Sequence, residues 1–357
     1  MKTIYKIINI HQINEPLERT TINLAAAFLL DGEVVAFPTE TVYGLGANAL
    51  DENAVAKIFA AKGRPADNPL IVHVSDLEMA EKVAEFNPLA RELAAHFWPG
   101  PLTFVLPRKP IIPDIVTAGL NTVAVRSPEH PVARAIIEAA ALPIAAPSAN
   151  SSGRPSPTVA AHVREDLDGK IAMLIDGGTV DIGLESTVLD LSGDRPRILR
   201  PGRITVDDLS PYCAGIKYDN DAEIKKPRSP GMKYVHYAPH GQVLLASTKE
   251  QITALWAEAE AEDVTPLLIL FAGTAAYMTE ERGKRKEEKG KRAESSNIYV
   301  IAEDGDLDMY ARNLFAAFRL ADAQGAKKII VETVPEKGIG QAIMNRLHKA
   351  AGQCSNT

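Results

Sequence analysis

KIFAAKGRPADNPLIVHV, residues Lys57–Val74, joins the end of a helical pattern to a buried strand through a loop that carries charge. Asn53–Ala61 has the apolar spacing of an amphipathic helix, and Leu70–Val74 is an apolar run of strand length. Lys62, Arg64 and Asn68 stand between them, and His73 lies inside the strand. Pro65 and Pro69 each fix their own φ and push the preceding residue out of the helical region, so the loop is stiff. Two cations, an amide and an imidazole beside a strand suit an anionic, polyfunctional ligand.

The same alternation runs outward in both directions. Val34–Pro38, Thr103–Leu106, Val123–Val125, Ile144–Ala146, Met173–Ile175 and Thr187–Leu191 read as strands. Leu77–Phe86, Leu89–Phe97, Val132–Ala140 and Val159–Leu167 read as helices. Strands mixed with helices predict an α/β sheet, partly parallel, with helices packed on it. After the polar, Pro- and Gly-rich residues 211–241 the rhythm becomes more regular. Strands are expected at Val243–Ala246, Leu267–Phe271, Ile298–Ile301 and Lys328–Val331, and helices at Glu250–Glu262, Leu307–Gln324 and Gln341–Ala351, as in a small doubly wound sheet. The charged run Gly283–Glu294 reads as a solvated loop. The expected organisation is residues 1–211, a linker at 212–240, and a second domain at 241–357.

Bulk properties exclude several classes. No apolar run approaches the ~20 residues of a membrane span, and the opening MKTIYKIINIHQINEP lacks a signal-peptide pattern. Cys213 and Cys354 stand far apart outside any CxxC, so neither a disulfide framework nor a zinc site is implied, and a cytoplasmic location is expected. The net charge of −7 means that any nucleic-acid contact needs a local basic patch. That charge sits in the first part: residues 1–211 hold 19 Lys+Arg against 26 Asp+Glu, whereas residues 212–357 hold 20 of each. P-loop, HExxH and GxSxG patterns are absent, which removes support for Walker-type, zinc-protease and α/β-hydrolase chemistry.

Several strands of the first part run into loops of small, polar or basic residues. They are FPTETVYGLG (Phe37–Gly46), the Lys62–Leu70 loop, TVAVRSP (Thr122–Pro128), APSANSSGRPSPT (Ala146–Thr158) and LESTVLD (Leu184–Asp190), with RILRPG (Arg197–Gly202) following. In open α/β sheets ligands bind beyond the carboxyl ends of strands, which is where these loops are expected to gather. Gly44, Gly46, Ser148, Ala149, Ser151 and Gly153 would let backbone N–H groups approach phosphate, and Lys62, Arg64, Arg126 and Arg200 would neutralise it. GLGANA (Gly44–Ala49) also fits G-x-G-x-x-A, but PTETVY separates it from the preceding strand, unlike a dinucleotide fingerprint.

In this order and spacing these segments, with FWPGPLTFVL (Phe97–Leu106), resemble the YrdC-like family. SPGMKYVHYAP (Ser229–Pro239) followed by a further domain is similar to its long two-domain form, the threonylcarbamoyl-AMP synthases. The resemblance implies a twisted open mixed sheet with flanking helices plus a smaller Rossmann-like α/β domain. It implies a nucleotidyltransferase that converts L-threonine, bicarbonate or CO2, and ATP into L-threonylcarbamoyl-AMP and pyrophosphate. A separate transferase would then use the product to modify tRNA beside the anticodon. Carried over by motif position, Thr39, His73, Arg126, Ala146 and Ser186 would hold threonine. Lys62, Arg64, Asn68, Thr122, Ser148, Asn150, Ser156, Arg200, His236 and Tyr237 would hold ATP, the last two as a lid. Lys62 and Arg64 would be the catalytic cations. Mg²⁺ would come with ATP, with no dedicated protein metal site. Three alternatives stay open: an RNA-binding module with a basic concave surface and a direct tRNA contact, a carbamoyl-phosphate-using maturation enzyme, and a nicotinamide-dependent oxidoreductase.

Overall fold

A computed structural model describes residues 2–218, 237–288 and 297–352. The described residues fall into two compact units, 2–152 with 156–218, and 153–155 with 237–288 and 297–352.

The first unit runs β1 (Ile4–Ile7), α1 (Pro16–Leu30), β2 (Val35–Phe37), β3 (Gly44–Asn48), α2 (Glu52–Lys62), β4 (Ile71–His73), α3 (Leu77–Val83), α4 (Pro88–Phe97) and β5 (Leu102–Pro107). It continues through α5 (Asp114–Thr117), β6 (Thr122–Arg126), α6 (Pro131–Ala140), β7 (Ile144–Ala145), α7 (Ala160–Leu167), β8 (Met173–Asp176), β9 (Thr187–Asp190), β10 (Arg197–Arg200) and α8 (Val206–Leu209). Several helices start where short polar side chains satisfy their free N–H groups. Asp51, Asp76 and Asn87 accept from Asn53, Met79 and Ala90 at the starts of α2, α3 and α4. Gly63, at φ 61°, ends α2 in the left-handed conformation and sets Lys62 in its last turn.

Ten strands form one mixed sheet in the order β1-β8-β2-β3-β7-β4-β6-β5-β9-β10. Alternation along each strand sorts the side chains to two faces. One face carries the main core, including Leu45, Val72, Val123, Val125, Phe104 and Leu189, packed with residues of α2, α3, α4 and α7. On the other face α1 and α6 cover only the half built from β8, β2 and β7, against Val35, Phe37, Met173, Ile175 and Ile144. Across β4, β6, β5, β9 and β10 that face carries instead a small patch of strand residues alone, Ile71, Ala124, Val105, Val188 and Leu199.

The structure adds elements the sequence reading omitted. β1 is exposed at all four positions, so it lacks the buried alternation that marks a strand. Gly44–Asn48, expected as a phosphate-approaching loop, is a strand paired antiparallel with β2 and β7. A Cβ at Gly46 would lie 2.6 Å from the Phe37 ring and 2.8 Å from Ile144, so this glycine serves close sheet packing. The dinucleotide reading of GLGANA falls with it.

The second unit runs β11 (Gln242–Ala246), α9 (Lys249–Ala261), β12 (Leu267–Phe271), α10 (Ala272–Glu288), β13 (Ile298–Ala302), α11 (Leu307–Ala323), β14 (Lys328–Glu332) and α12 (Ile339–Ala350). Its strands are all parallel in the order β11-β14-β12-β13. Trp256, Leu268, Leu270, Met278 and Ile330 share a core of their own. The charged run departs from expectation here, because Gly283–Glu288 completes α10, while 289–294 lie outside the described residues. No described helix is long and apolar enough to cross a membrane.

Candidate active site

The sheet face left without helices gathers most of the predicted residues. Register puts His73 of β4 beside Arg126 of β6, and Ile71 beside Ala124. Thr103 of β5 pairs with Val188 of β9, and the Ser186 hydroxyl lies 2.8 Å from that of Thr103. A register shift between Ile198 and Arg200 brings Arg200 opposite Val188. Such a bulge bends its strand and re-aims the side chain. Arg200 then donates through Nε to the Ser186 carbonyl (3.0 Å) and through Nη2 to its hydroxyl (3.1 Å). His73, Arg126 and Arg200 are the last residues of β4, β6 and β10, and Thr39, Ser148 and Asn150 lie in the loops after β2 and β7, so the predicted groups sit at or beyond strand ends and on the sheet face beside them. Thr122 is on that face too, but four residues up β6 from Arg126, roughly 13 Å away at 3.3 Å per residue.

Arg126 is 3 % exposed and held on three sides. Its Nε donates to the Gly100 carbonyl (3.1 Å), Nη1 to the Thr41 hydroxyl (3.0 Å), and Nη2 forms an ion pair with Glu40 Oε1 (2.5 Å). Thr39 and Thr41 share a hydroxyl contact of 2.8 Å, and Thr39 donates to the Val42 carbonyl. His73 is fully buried, and burial together with the adjacent Arg126 charge pushes its pKa down to about 3. It is neutral at any physiological pH. His130, the N-cap of α6, is lowered by burial, and the nearby Glu40 and Asp181 carboxylates oppose that.

A second group forms around the end of α2. The Lys62 ammonium is buried and donates to the backbone carbonyls of Ser148 and Asn150. The Lys62 carbonyl in turn accepts from Ser152 N, so helix end and Ser-rich loop clasp each other. Ser148 Oγ donates to Asn150 Oδ1, and Ser156 Oγ to Glu185 Oε1 (2.6 Å). Arg64 folds onto its own loop, donating to the Asn68 and Pro69 carbonyls. The Asn68 side chain is 1 % exposed, and neither its Nδ2 nor its Oδ1 has a hydrogen-bond partner among the described residues. Ala146 presents its backbone at the edge between the groups, its N–H donating to the Ile71 carbonyl.

Tyr237 has surroundings of another kind. In the second unit its ring is 5 % exposed, stacks on Phe315 at 5.2 Å and lies 5.7 Å from the Arg346 guanidinium. The ring expected to close over a nucleotide is engaged by that unit's own core. His236 lies outside the described residues. Sequence reading passed over Glu40, Thr41, Thr103 and Glu185. The first two sit inside the quoted FPTETVYGLG, but Thr103 becomes visible only when strand register puts it beside Ser186.

Residues 27–202 match the family model described as Telomere recombination (Sua5_yciO_yrdC), and residues 204–352 match Threonylcarbamoyl-AMP synthase, C-terminal domain. The threonylcarbamoyl-AMP synthase of Pyrococcus abyssi is 45 % identical over 351 residues, covering 95 % of this chain and 96 % of that one. This chain belongs to the threonylcarbamoyl-AMP synthase family. The Bacillus subtilis threonylcarbamoyl-AMP synthase is likewise 45 % identical, over 92 % of both chains. Among solved structures, P. abyssi Sua5 complexed with L-threonine matches with a TM-score of 0.86 and 43 % identity over 98 % of both chains. The large mixed sheet followed by a second, smaller sheet is the architecture of this match.

Proposed function

We propose that this chain makes L-threonylcarbamoyl-AMP and pyrophosphate from L-threonine, CO2 or bicarbonate, and ATP. A transferase would then use the product to form threonylcarbamoyladenosine beside the tRNA anticodon. The observation that carries this reading is the convergence of Arg126, His73, Ser186 and Arg200 on one sheet face, in a chain whose full-length relative is known with L-threonine bound.

The reaction needs no protein nucleophile. The threonine amine joins CO2 to give a carbamate, whose oxygen attacks the α-phosphorus while pyrophosphate leaves. The protein's task is to align two polyanions and neutralise the charge that develops between them. Arg126 would take the threonine carboxylate, with the Thr39 and Ser186 hydroxyls, neutral His73 and the Ala146 backbone shaping the rest of that pocket. Lys62, already aimed by two carbonyls, and Arg64 would meet the phosphates as catalytic cations. Asn68, Thr122, Ser148, Asn150, Ser156 and Arg200 would complete the nucleotide site. The unsatisfied Asn68 amide supports this, since a buried amide without partners has hydrogen bonds left to offer a ligand.

Magnesium would enter with ATP and supply charge neutralisation on its phosphates. As is usual for magnesium, phosphate oxygens and water would provide most of its ligands. The test is pyrophosphate release with ATP and bicarbonate, with and without L-threonine, against L-serine. Threonine-dependent release is the expected result. Salt-sensitive tRNA binding without ATP consumption would instead favour an RNA-binding module.

A further inference from the structure

Glu40 has surroundings that ion pairing alone does not explain. It is 3 % exposed, and beyond the Arg126 pair neither carboxylate oxygen has a hydrogen-bond donor among the described residues. An ionised carboxylate offers roughly four lone-pair sites, and a buried one left short of donors calls for an explanation, a catalytic role or a missing ligand among them. Arg126 cannot rotate to give more, because its Nε and Nη1 are already committed to Gly100 and Thr41. The result is a fixed cation and a fixed anion side by side.

An α-amino acid zwitterion is the complement of that pair, since its carboxylate and ammonium share one carbon. With the threonine carboxylate on Arg126, as the reading above assigns it, the donor that Glu40 lacks is the threonine α-amino group. We propose that Glu40 is a further catalytic residue, which binds that amino group and takes the proton it loses as it joins CO2. Glu40 first relays one ammonium proton to solvent. The freed nitrogen lone pair then forms the N–C bond, one C=O electron pair of CO2 moves onto oxygen, and the remaining surplus N–H proton passes to Glu40. The product is the N-carboxylate anion that attacks ATP.

The charged and titratable groups around Glu40 are Arg126 of β6 and His130 at the start of α6, with His73 across from Arg126 and Asp181 acting on His130.

The experiment compares Glu40→Gln with the wild-type chain in threonine-dependent pyrophosphate release from pH 6.5 to 9.5, with threonine affinity measured by calorimetry without ATP. A positioned general base contributes about 100-fold or more. The variant should therefore lose about that factor in kcat near neutrality while still binding threonine. The deficit should narrow by about tenfold per pH unit as threonine's own amine deprotonates, because each unit raises the free base tenfold. Should Glu40→Gln not fold, Glu40→Asp read through the same series should show a smaller deficit that narrows in the same way. A wild-type rate in Glu40→Gln, or a deficit of the same factor at every pH in either variant, overturns the proposal and leaves Glu40 as the counter-ion of Arg126. Absence of threonine-dependent release from the wild-type chain would be a failure of the functional reading itself, seen before any variant is made.

Discussion

Arg126 would meet threonine already oriented, because three protein acceptors fix its guanidinium plane. Such preorganisation removes the ordering cost at binding. Truncation is correspondingly damaging: Arg126→Ala strands Glu40 as a buried unpaired carboxylate, which costs about 3–5 kcal/mol. It should lower the melting temperature and abolish threonine-dependent pyrophosphate release, and a folded, active variant would remove Arg126 from its role. Lys62→Ala should raise the KM for ATP more than that for threonine, since Lys62 faces the Ser148–Asn150 loop and not the Arg126 group. His73 couples stability to pH. Its folded pKa of about 3 lies below the ordinary 6.5, so the unfolded chain binds a proton there that the folded chain refuses. The neutral folded form is fully favoured above pH 6.5, and that contribution is lost as pH falls toward 3, at up to ~1.4 kcal/mol per unit. Urea midpoints at pH 7.5, 5.5 and 4 should fall less steeply in His73→Gln than in the wild type, with the smaller slope that remains including His130, which is lowered in the same direction.

At the scale of elements, two glycines separate packing from chemistry. A Cβ at Gly46 would press into Phe37 and Ile144 under α1 and α6, on the covered half of the sheet. A Cβ at Gly202 would sit 2.4 Å from Thr187 N and 2.7 Å from the Ser186 carbonyl carbon. Each alanine variant should cost about 1–3 kcal/mol through overpacking. Only Gly202→Ala should also raise the KM for threonine, because it displaces the backbone that carries Ser186; calorimetric melting and steady-state kinetics on both variants check this. Most helices and central strands were legible in the sequence, since caps such as Asp51 and Asn87 and apolar runs such as Leu70–Val74 act locally. β3 was not, because its glycines look like a loop until β2 and β7 pair with both its edges. α1 and α10 were not expected either, and the second half of α10 is a run of Lys, Arg and Glu with no apolar stripe, equally good as helix or solvated loop.

At the scale of the whole molecule, the chain's two tryptophans fall one to each unit. Trp98 stacks on Phe104 in the first core, and Trp256 is buried in the second. Single-tryptophan variants Trp256→Phe and Trp98→Phe should report different urea midpoints by fluorescence, each following its own core; superimposed transitions would show that the units unfold together. Function was legible in the sequence because the candidate groups travel in short motifs: Lys62 with Arg64, Ser148 with Asn150, and Arg126 at the end of its strand keep their spacing whatever the tertiary setting. Which groups face one another was a different matter. His73 meets Arg126 through parallel pairing of β4 with β6, Thr103 meets Ser186 across β5 and β9, and Arg200 reaches Ser186 through a bulge. Glu40 becomes conspicuous only once Arg126 is seen beside it in a buried pair. Local order along the chain determined the parts and their chemistry, because a cap, a proline or a motif acts over a few residues. Partnership across the sheet came only with the fold, because strand register is a property of segments distant in sequence.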